Sequence, residues 1–178
     1  RKMIDALSPE RRAFHAMIQR WMLFLDPPEH TPLKKSIAGK FSMKEVKHLE
    51  VKTHQIAARL IADMVGQHEV DFMRSFAIPF PVLMNCHLLG LPVKDWEQLE
   101  RWGAEIIAAK DTDPSRDTRQ RAGVATVQAQ AYFDKALRDK QQQPQNDLIS
   151  HLVKSVEAQT MTWEDAVAMC SCLVVAAH

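Results

Sequence analysis

Residues 21–34 read Trp21-Met22-Leu23-Phe24-Leu25-Asp26-Pro27-Pro28-Glu29-His30-Thr31-Pro32-Leu33-Lys34. An apolar run is followed there by the pattern of a helix start, with Asp26 as the cap, prolines in the first turn and Glu29 near the positive end of the dipole. Since His30 and Lys34 are four positions apart, both side chains project from one face of this helix. Such a pair can hold a carboxylate or a phosphate, or it can be two surface residues without a ligand, and the sequence leaves both interpretations open.

The same helical pattern continues through the rest of the chain. Helix starts are predicted at Ser8-Pro9-Glu10, at the capping boxes Ser42–Glu45 and Thr162–Asp165, and at Asn146. Glycines stand where helices are expected to stop, at Gly39, Gly66 and Gly90. The longer predicted helices cover residues 42–66, 72–89, 95–109, 118–142 and 148–156, and a last one runs from 162 through 178. With short loops and no alternating strand, the sequence predicts an all-α domain of about eight helices without an internal boundary.

The composition agrees with a helical domain of ordinary size and excludes several classes of protein. The 178 residues include 23 Lys and Arg against 22 Asp and Glu, and 46% of them are hydrophobic. A chain this apolar can offset its ordering entropy, which excludes a disordered protein. The balanced charge excludes a nucleic-acid binder held by its overall basicity. No apolar run approaches the ~20 residues that a membrane-spanning helix needs.

The three cysteines, Cys86, Cys170 and Cys172, are too few for a disulfide framework, so a reducing, cytoplasmic location is expected. Cys170 and Cys172 lie about 200° apart around a helix, which favours buried thiols over a pair of metal ligands. No two histidines stand four positions apart, and Glu45-Val46-Lys47-His48 is a single Glu-x-x-His where a di-iron bundle needs two. No metal site is therefore predicted.

Positive charge is concentrated between Lys34 and Arg59. The basic residues of this stretch are Lys34, Lys35, Lys40, Lys44, Lys47, Lys52 and Arg59. Only Glu45 and Glu50 oppose them, which leaves a local charge of about +5 within a neutral chain. Such a surface can dock an acidic partner, and it can equally be a solvated helix face.

Four segments together resemble bacterial cytochromes P-450, the heme-thiolate monooxygenases. Residues 21–34 resemble the start of the family's C helix, D-P-P-(E/D)-H-T-R-L-R followed by a phenylalanine, here Phe41. Residues 82–92 resemble its E helix with the exit L-L-G-(V/L)-P, and residues 146–150 resemble the D-D-L-(I/L)-(S/T) start of its H helix. Residues 173–178 resemble the approach to the I-helix motif A-G-x-(E/D)-T. The matches follow the family's order and spacing along essentially the whole chain.

The resemblance implies a set of residues that hold heme b (iron protoporphyrin IX). His30 matches the C-helix histidine that bonds a heme propionate, and Lys34 matches an arginine that pairs with the same carboxylates. Lysine keeps the charge of that arginine but loses its bidentate fork. Ala176 and Ala177 match the I-helix pair beside the O₂-binding face of the heme, where the second position is usually glycine.

The resemblance also implies a substrate pocket and an electron donor. Leu23, Cys172 and Val175 match positions that line the pocket, and their apolar character suits a hydrophobic substrate. Core packing is the alternative for all three, and for Cys172 the two interpretations are equally open. The stretch Lys34–Arg59 matches the side on which acidic ferredoxin-like donors dock, with a flavoprotein as the other expected donor.

Parts of the family's pattern are not in this sequence. The acid and threonine of the proton relay would follow His178, and neither the E-x-x-R motif nor the loop with the iron-ligating cysteine occurs. We therefore expect residues 1–178 to be a partial domain, without the N-terminal sheet and the heme-ligand half, with no catalytic residue and no axial cysteine of its own. By itself the segment is expected to be inactive. The alternative from another class is a non-catalytic all-α ligand-binding or regulatory bundle.

Overall fold

The computed structural model describes residues 7–41 and 43–176. It confirms the all-α class, with no strand and eight α-helices in that part of the chain. The helices are α1 (Pro9–Ile18), α2 (His30–Ala38), α3 (Met43–Ala62), α4 (Pro79–Leu89), α5 (Trp96–Ala108), α6 (Arg116–Gln142), α7 (Leu148–Glu157) and α8 (Trp163–Val175). Short 3₁₀ turns precede or follow several of them, and a π-helical segment, Met73–Ala77, leads into α4.

Several predicted caps are present. The Ser8 side chain accepts from the Arg11 amide at the start of α1, and Thr162 and Asp165 form a reciprocal capping box at the start of α8. Gly90 ends α4 in the left-handed conformation, at φ 73°, as a stop glycine commonly does. The predicted Ser42–Glu45 box involves Ser42, which lies outside the described residues.

Two predicted helix caps are wrong. Asp26 does not cap α2, because the chain turns over residues 26–29 and the helix begins at His30. A residue before proline avoids the helical region, which keeps Asp26 and Pro27 out of the helix. Asp147 rather than Asn146 caps α7, since its carboxylate is the one that reaches the Ser150 amide, at 2.7 Å. The last helix is described as far as Val175, and its predicted continuation through residues 177 and 178 lies outside the described residues.

The core is built around α6, the longest helix. The helices α1, α5, α7 and α8 pack against it and bury large side chains that include Met17, Leu99, Phe133 and Leu152. The crossing of α1 over α6 is close, because a Cβ on Gly123 would lie 2.8 Å from Glu10 Cβ and 2.9 Å from the Glu10 carbonyl carbon. A glycine at this point is what allows the two backbones to approach.

The helix α3 packs against α4, whose Val82, Cys86 and Leu89 belong to the core. Among the apolar residues of α3, Ile56 is buried, whereas Ile61 is 51% exposed. Val65, Phe72 and Met73 beyond the helix are exposed as well. The rings of Phe72, Phe76 and Phe80 stack in sequence, with centroids 5.2 and 5.3 Å apart. None of the helices in the described part combines the length and apolarity needed to cross a bilayer.

Candidate functional site

The helix α2 carries the two residues predicted to hold an anion. His30 is its first residue and is partly buried, and Lys34, one turn later, is exposed. The helix buries Leu33 and Ile37 against the core, so the turn containing Lys34 faces outward. Among the described residues, no hydrogen bond or ion pair is formed by the side chain of either His30 or Lys34. An imidazole and an ammonium group are therefore available on one helix face.

The segment before α2 contacts Lys110, which lies in the turn that follows α5. Trp21 is buried and its ring stacks on that of Phe24, with centroids 6.2 Å apart and planes 13° apart. Lys110 Nζ lies 4.5 Å from the centre of the Phe24 ring and 5.2 Å from that of Trp21, within the range of a cation–π contact. Leu23, between the two aromatic residues, is 70% exposed. The contact therefore fixes the short turn that presents Leu23 to solvent.

The helix α8 holds the remaining predicted residues. Val175 is buried in the core, Cys172 packs partly buried against it, and Ala176 is exposed at the helix end. Ala177 lies outside the described residues. The Leu173 carbonyl accepts a hydrogen bond of 2.7 Å from Asn85 of α4, a contact that no local sequence pattern predicts. Burial raises the pKa of Cys172, and the charge of Lys110 opposes the rise.

The other two thiols are buried and protonated. A cysteine ligates a metal as its thiolate. Burial raises the pKa of Cys86 to about 11 and that of Cys170 to about 12, so both are neutral at physiological pH. In the described part of the chain, no cluster of three or more His, Cys, Asp or Glu side chains could hold a metal ion.

The structure brings together only some of the predicted residues. Lys110 contacts the rings on either side of Leu23 and also acts electrostatically on Cys172, which places the Leu23 turn and α8 in one neighbourhood. No described hydrogen bond, ion pair or ring contact joins His30 or Lys34 to α8. A cleft of about 680 Å³ lies between residues 19–33 and 156–165, and its walls include Arg20, Glu29 and Asp165 but none of the predicted pocket residues.

Three polar contacts around α2 and α8 were not predicted. A ring nitrogen of His151 in α7 bonds the Ser36 carbonyl, Lys40 Nζ donates to Asn146 Oδ1 at 2.8 Å, and Arg20 pairs with Asp165 at 2.7 Å. The partners are separated by 115, 106 and 145 positions respectively. Local sequence pattern contains no signal for pairs so distant.

Known proteins match the chain along most of its length. It is 29% identical over 157 residues to a biotin biosynthesis cytochrome P-450 of Bacillus subtilis (strain 168), covering 88% of this chain and 40% of the relative. It is 30% identical over 159 residues to a vitamin D(3) 25-hydroxylase of Pseudonocardia autotrophica, covering 88% of this chain and 38% of the relative. No protein-family model matches the chain.

Solved structures share the fold. A cytochrome P-450 in complex with an acyl carrier protein ligated to hexadec-9Z-enoic acid superposes with a TM-score of 0.88 at 26% identity, over 96% of this chain and 44% of that one. A myxobacterial cytochrome P-450 in complex with myristic acid does so with a TM-score of 0.83 at 27% identity, over 98% and 44%. The chain belongs to the cytochrome P-450 family. It spans about 40% of the length of the curated P-450 relatives, and it corresponds to the helical part of the P-450 fold.

Proposed function

We propose that this chain is part of a heme-thiolate monooxygenase that hydroxylates or otherwise oxidises a hydrophobic small molecule in the cytoplasm. The observation that carries the proposal is the superposition of 96% of the chain on a P-450 structure with a TM-score of 0.88. Relatives that match over most of the chain are named as hydroxylases and epoxidases. The four segments that resemble motifs of the family lie on or directly beside α2, α4, α7 and α8.

The residues of α2 fit the carboxylates of a heme. A heme b has two propionates, and α2 offers one imidazole and one ammonium on the same face, neither engaged by another described side chain. Hydrogen bonds from charged donors to carboxylates are shorter and stronger than neutral ones. We propose that His30 and Lys34 hold the two propionates and so fix one edge of the heme.

The chemistry of a bound heme-thiolate centre is the reductive splitting of O₂, with one oxygen atom entering the substrate and the other leaving as water. We propose that this chain contributes binding and shape. Ala176 and Ala177 would lie against the O₂ face, where small side chains leave room. We propose that the axial thiolate comes from outside Cys86, Cys170 and Cys172, because all three lie in helices and the first two are completely buried in the core.

An apolar substrate is proposed from the residues that match the pocket of the family. Leu23 is exposed, Cys172 is partly buried, and Val175 is the buried member of the set. Ligand sites of this kind are lined mainly by apolar side chains. Two of the similar P-450 structures contain a fatty acid or a fatty acyl group, which supports a hydrophobic substrate without identifying it.

Electron delivery is proposed on the basic stretch between Lys34 and Arg59. The side chains of Lys34, Lys35, Lys47, Lys52 and Arg59 are all exposed. Positive potential of this kind attracts an acidic partner and accelerates its encounter. A ferredoxin or a flavoprotein with an acidic surface is the proposed donor.

The test is spectroscopic and uses the protein expressed from its natural reading frame. After reduction and addition of carbon monoxide, we expect the red-shifted absorption band of a thiolate-ligated heme. His30→Ala should weaken heme retention, whereas His68→Ala, at an exposed histidine beyond α3, should not. A protein that folds, binds an apolar ligand and takes up no heme would contradict the proposal and favour the non-catalytic bundle.

A further inference from the structure

The helix α2 is a short element with few anchors of its own. It has nine residues, and only Leu33 and Ile37 are buried. A helix of this length is marginal in isolation, so its position depends on tertiary contacts. His30 and Lys34, which are proposed to hold heme, lie toward its N-terminal end. Because the helix is short, contacts at its C-terminal end also determine where these two side chains lie.

The far end of α2 is fastened to α7 by a hydrogen bond from His151. The bond runs from a ring nitrogen of His151, Nε2, to the carbonyl oxygen of Ser36. Since a carbonyl only accepts, this nitrogen carries a proton and donates it. Ser36 is one of the last four residues of α2, whose carbonyls have no partner within the helix. The imidazole therefore satisfies a backbone group that α2 cannot satisfy by itself.

A second bond joins the same two regions. Lys40, in the 3₁₀ turn that follows α2, donates to the Asn146 side chain just before α7. The helix α7 is a firm support, because Leu148, Ile149 and Leu152 are completely buried in the core. Both bonds thus connect the C-terminal end of the short helix α2 to α7, which is itself packed in the core.

We infer that His151 is a positioning residue for heme, which acts by holding α2 so that His30 and Lys34 face the propionates. The inference rests on the proposed function. In this role, His151 itself touches neither heme nor substrate. Its role is carried by the Nε2–H donor, so a side chain that keeps a donor at the same reach should preserve it.

The experiment compares His151→Met, which removes the donor, with His151→Gln, whose amide nitrogen replaces it. In the protein expressed from its natural reading frame, we expect His151→Met to accelerate heme transfer to excess apomyoglobin by roughly threefold to tenfold, the range of one ordinary hydrogen bond. His151→Gln should restore most of the retention. His68→Met, at an exposed histidine, is the matched control and should leave the rate unchanged.

A measurement that does not depend on heme accompanies the transfer rate. Amide hydrogen exchange over residues 30–38 should accelerate in His151→Met and return toward wild type in His151→Gln. Equal heme loss in both variants would overturn the inference, because packing and not the donor would then matter, and so would an unchanged rate in His151→Met. If the wild-type protein takes up no heme at all, the proposed function fails, and the heme-positioning role fails with it.

Discussion

At the scale of single residues, Gly90 shows how a left-handed backbone and a close contact coincide. It ends α4 at φ 73°, and a Cβ at this position would lie 2.2 Å from Asp147 Oδ2. The carboxylate that caps α7 therefore occupies the space that any side chain at residue 90 would need. Two segments that resemble separate motifs of the family are in direct contact at this point.

Gly90→Ala is expected to destabilise the protein by roughly 2–4 kcal/mol, from the left-handed backbone together with the clash. Gly66→Ala is the matched control, because Gly66 also has positive φ, 84°, yet nothing lies within 4 Å of its missing Cβ. The control should cost only the backbone part, about 1–2 kcal/mol. Urea unfolding measures both variants. Equal losses of stability in the two variants would show that the Asp147 side chain moves aside at no cost in free energy.

Lys34→Arg is a substitution that should improve the retention of heme. Its ammonium is a point charge, whereas a guanidinium binds a carboxylate with two parallel hydrogen bonds. Lys34→Arg should therefore slow heme loss by about threefold to fivefold. Lys35→Arg, at the next exposed position about 100° around the helix, should have no effect. Heme transfer to apomyoglobin distinguishes the two, and a gain from Lys35→Arg instead would place the propionates on another face.

Asp165 gives a prediction about pH. Burial raises the pKa of its carboxyl, but hydrogen bonds from Thr162 and Arg20 outweigh burial and leave the pKa below the ordinary 3.8. The charged form is therefore favoured in the folded state. Its contribution to stability is complete above 3.8 and is lost as the pH falls through the lower folded value.

Asp165→Asn should lower the free energy of unfolding by about 1 kcal/mol at neutral pH and reduce the fall in stability below pH 4. Denaturant unfolding between neutral pH and pH 3 checks both effects. Asp113→Asn, in the exposed loop before α6, is the control and should reproduce the wild-type profile. A variant that loses stability equally at every pH would show that the Asp165 charge is not responsible.

At the scale of elements, the start of α7 combines a cap with a charge pair. Asp147 accepts from the Ser150 amide and also from Lys140 Nζ, at 2.6 Å, and both side chains of the pair are largely buried. The pair links the end of α6 to the first turn of α7. This connection orients the helix that in turn supports α2.

Asp147→Ala should destabilise the protein by about 2–4 kcal/mol, because it removes the cap and leaves Lys140 unpaired in a largely buried position. Asp147→Asn keeps an oxygen for the Ser150 amide and should cost less. Thermal unfolding followed by circular dichroism compares them. Identical losses in the two variants would mean that the charge pair carries the whole effect and the cap none.

At the scale of the whole molecule, large apolar side chains are exposed in two regions. One contains Val65, Phe72 and Met73 beyond α3, and the other contains Leu23 and Phe24 before α2. Contiguous exposed apolar surface commonly marks a site of contact with protein or ligand. The chain covers about 40% of the length of the biotin biosynthesis cytochrome P-450 that it matches. The two exposed surfaces therefore lie on one part of the P-450 fold.

We expect residues 1–178, produced as a separate polypeptide, to bind an apolar fluorescent dye and to hold heme weakly. Its reduced form should give no thiolate-type band with carbon monoxide, because Cys86 and Cys170 are buried and Cys172 is partly buried within α8. The protein expressed from its natural reading frame is the comparison. A normal band from the separate polypeptide would contradict the assignment of the axial ligand to a residue outside it.

Much of the architecture was readable in the sequence because its causes are local. The 3.6-residue periodicity predicts α5, α6 and α7 within a few residues. Short-range chemistry marks three other helix ends, with Ser8 at the start of α1, Thr162 at the start of α8 and Gly90 at the end of α4. The two helix caps that the sequence predicts wrongly also have local causes. The Asp26 cap failed because prolines exclude the helical conformation before them, and the cap of α7 was misplaced by one residue.

The sequence alone determined the helical class, the family resemblance and the presence of two hydrogen-bond donors, His30 and Lys34, one turn apart on α2. Only the tertiary structure decided which distant residues fix those donors in place. The contacts Ser36–His151, Lys40–Asn146 and Gly90–Asp147 join residues far apart along the chain. Helix periodicity and capping depend on neighbours a few positions away, whereas these contacts depend on how helices pack. Local pattern contains no information about that packing.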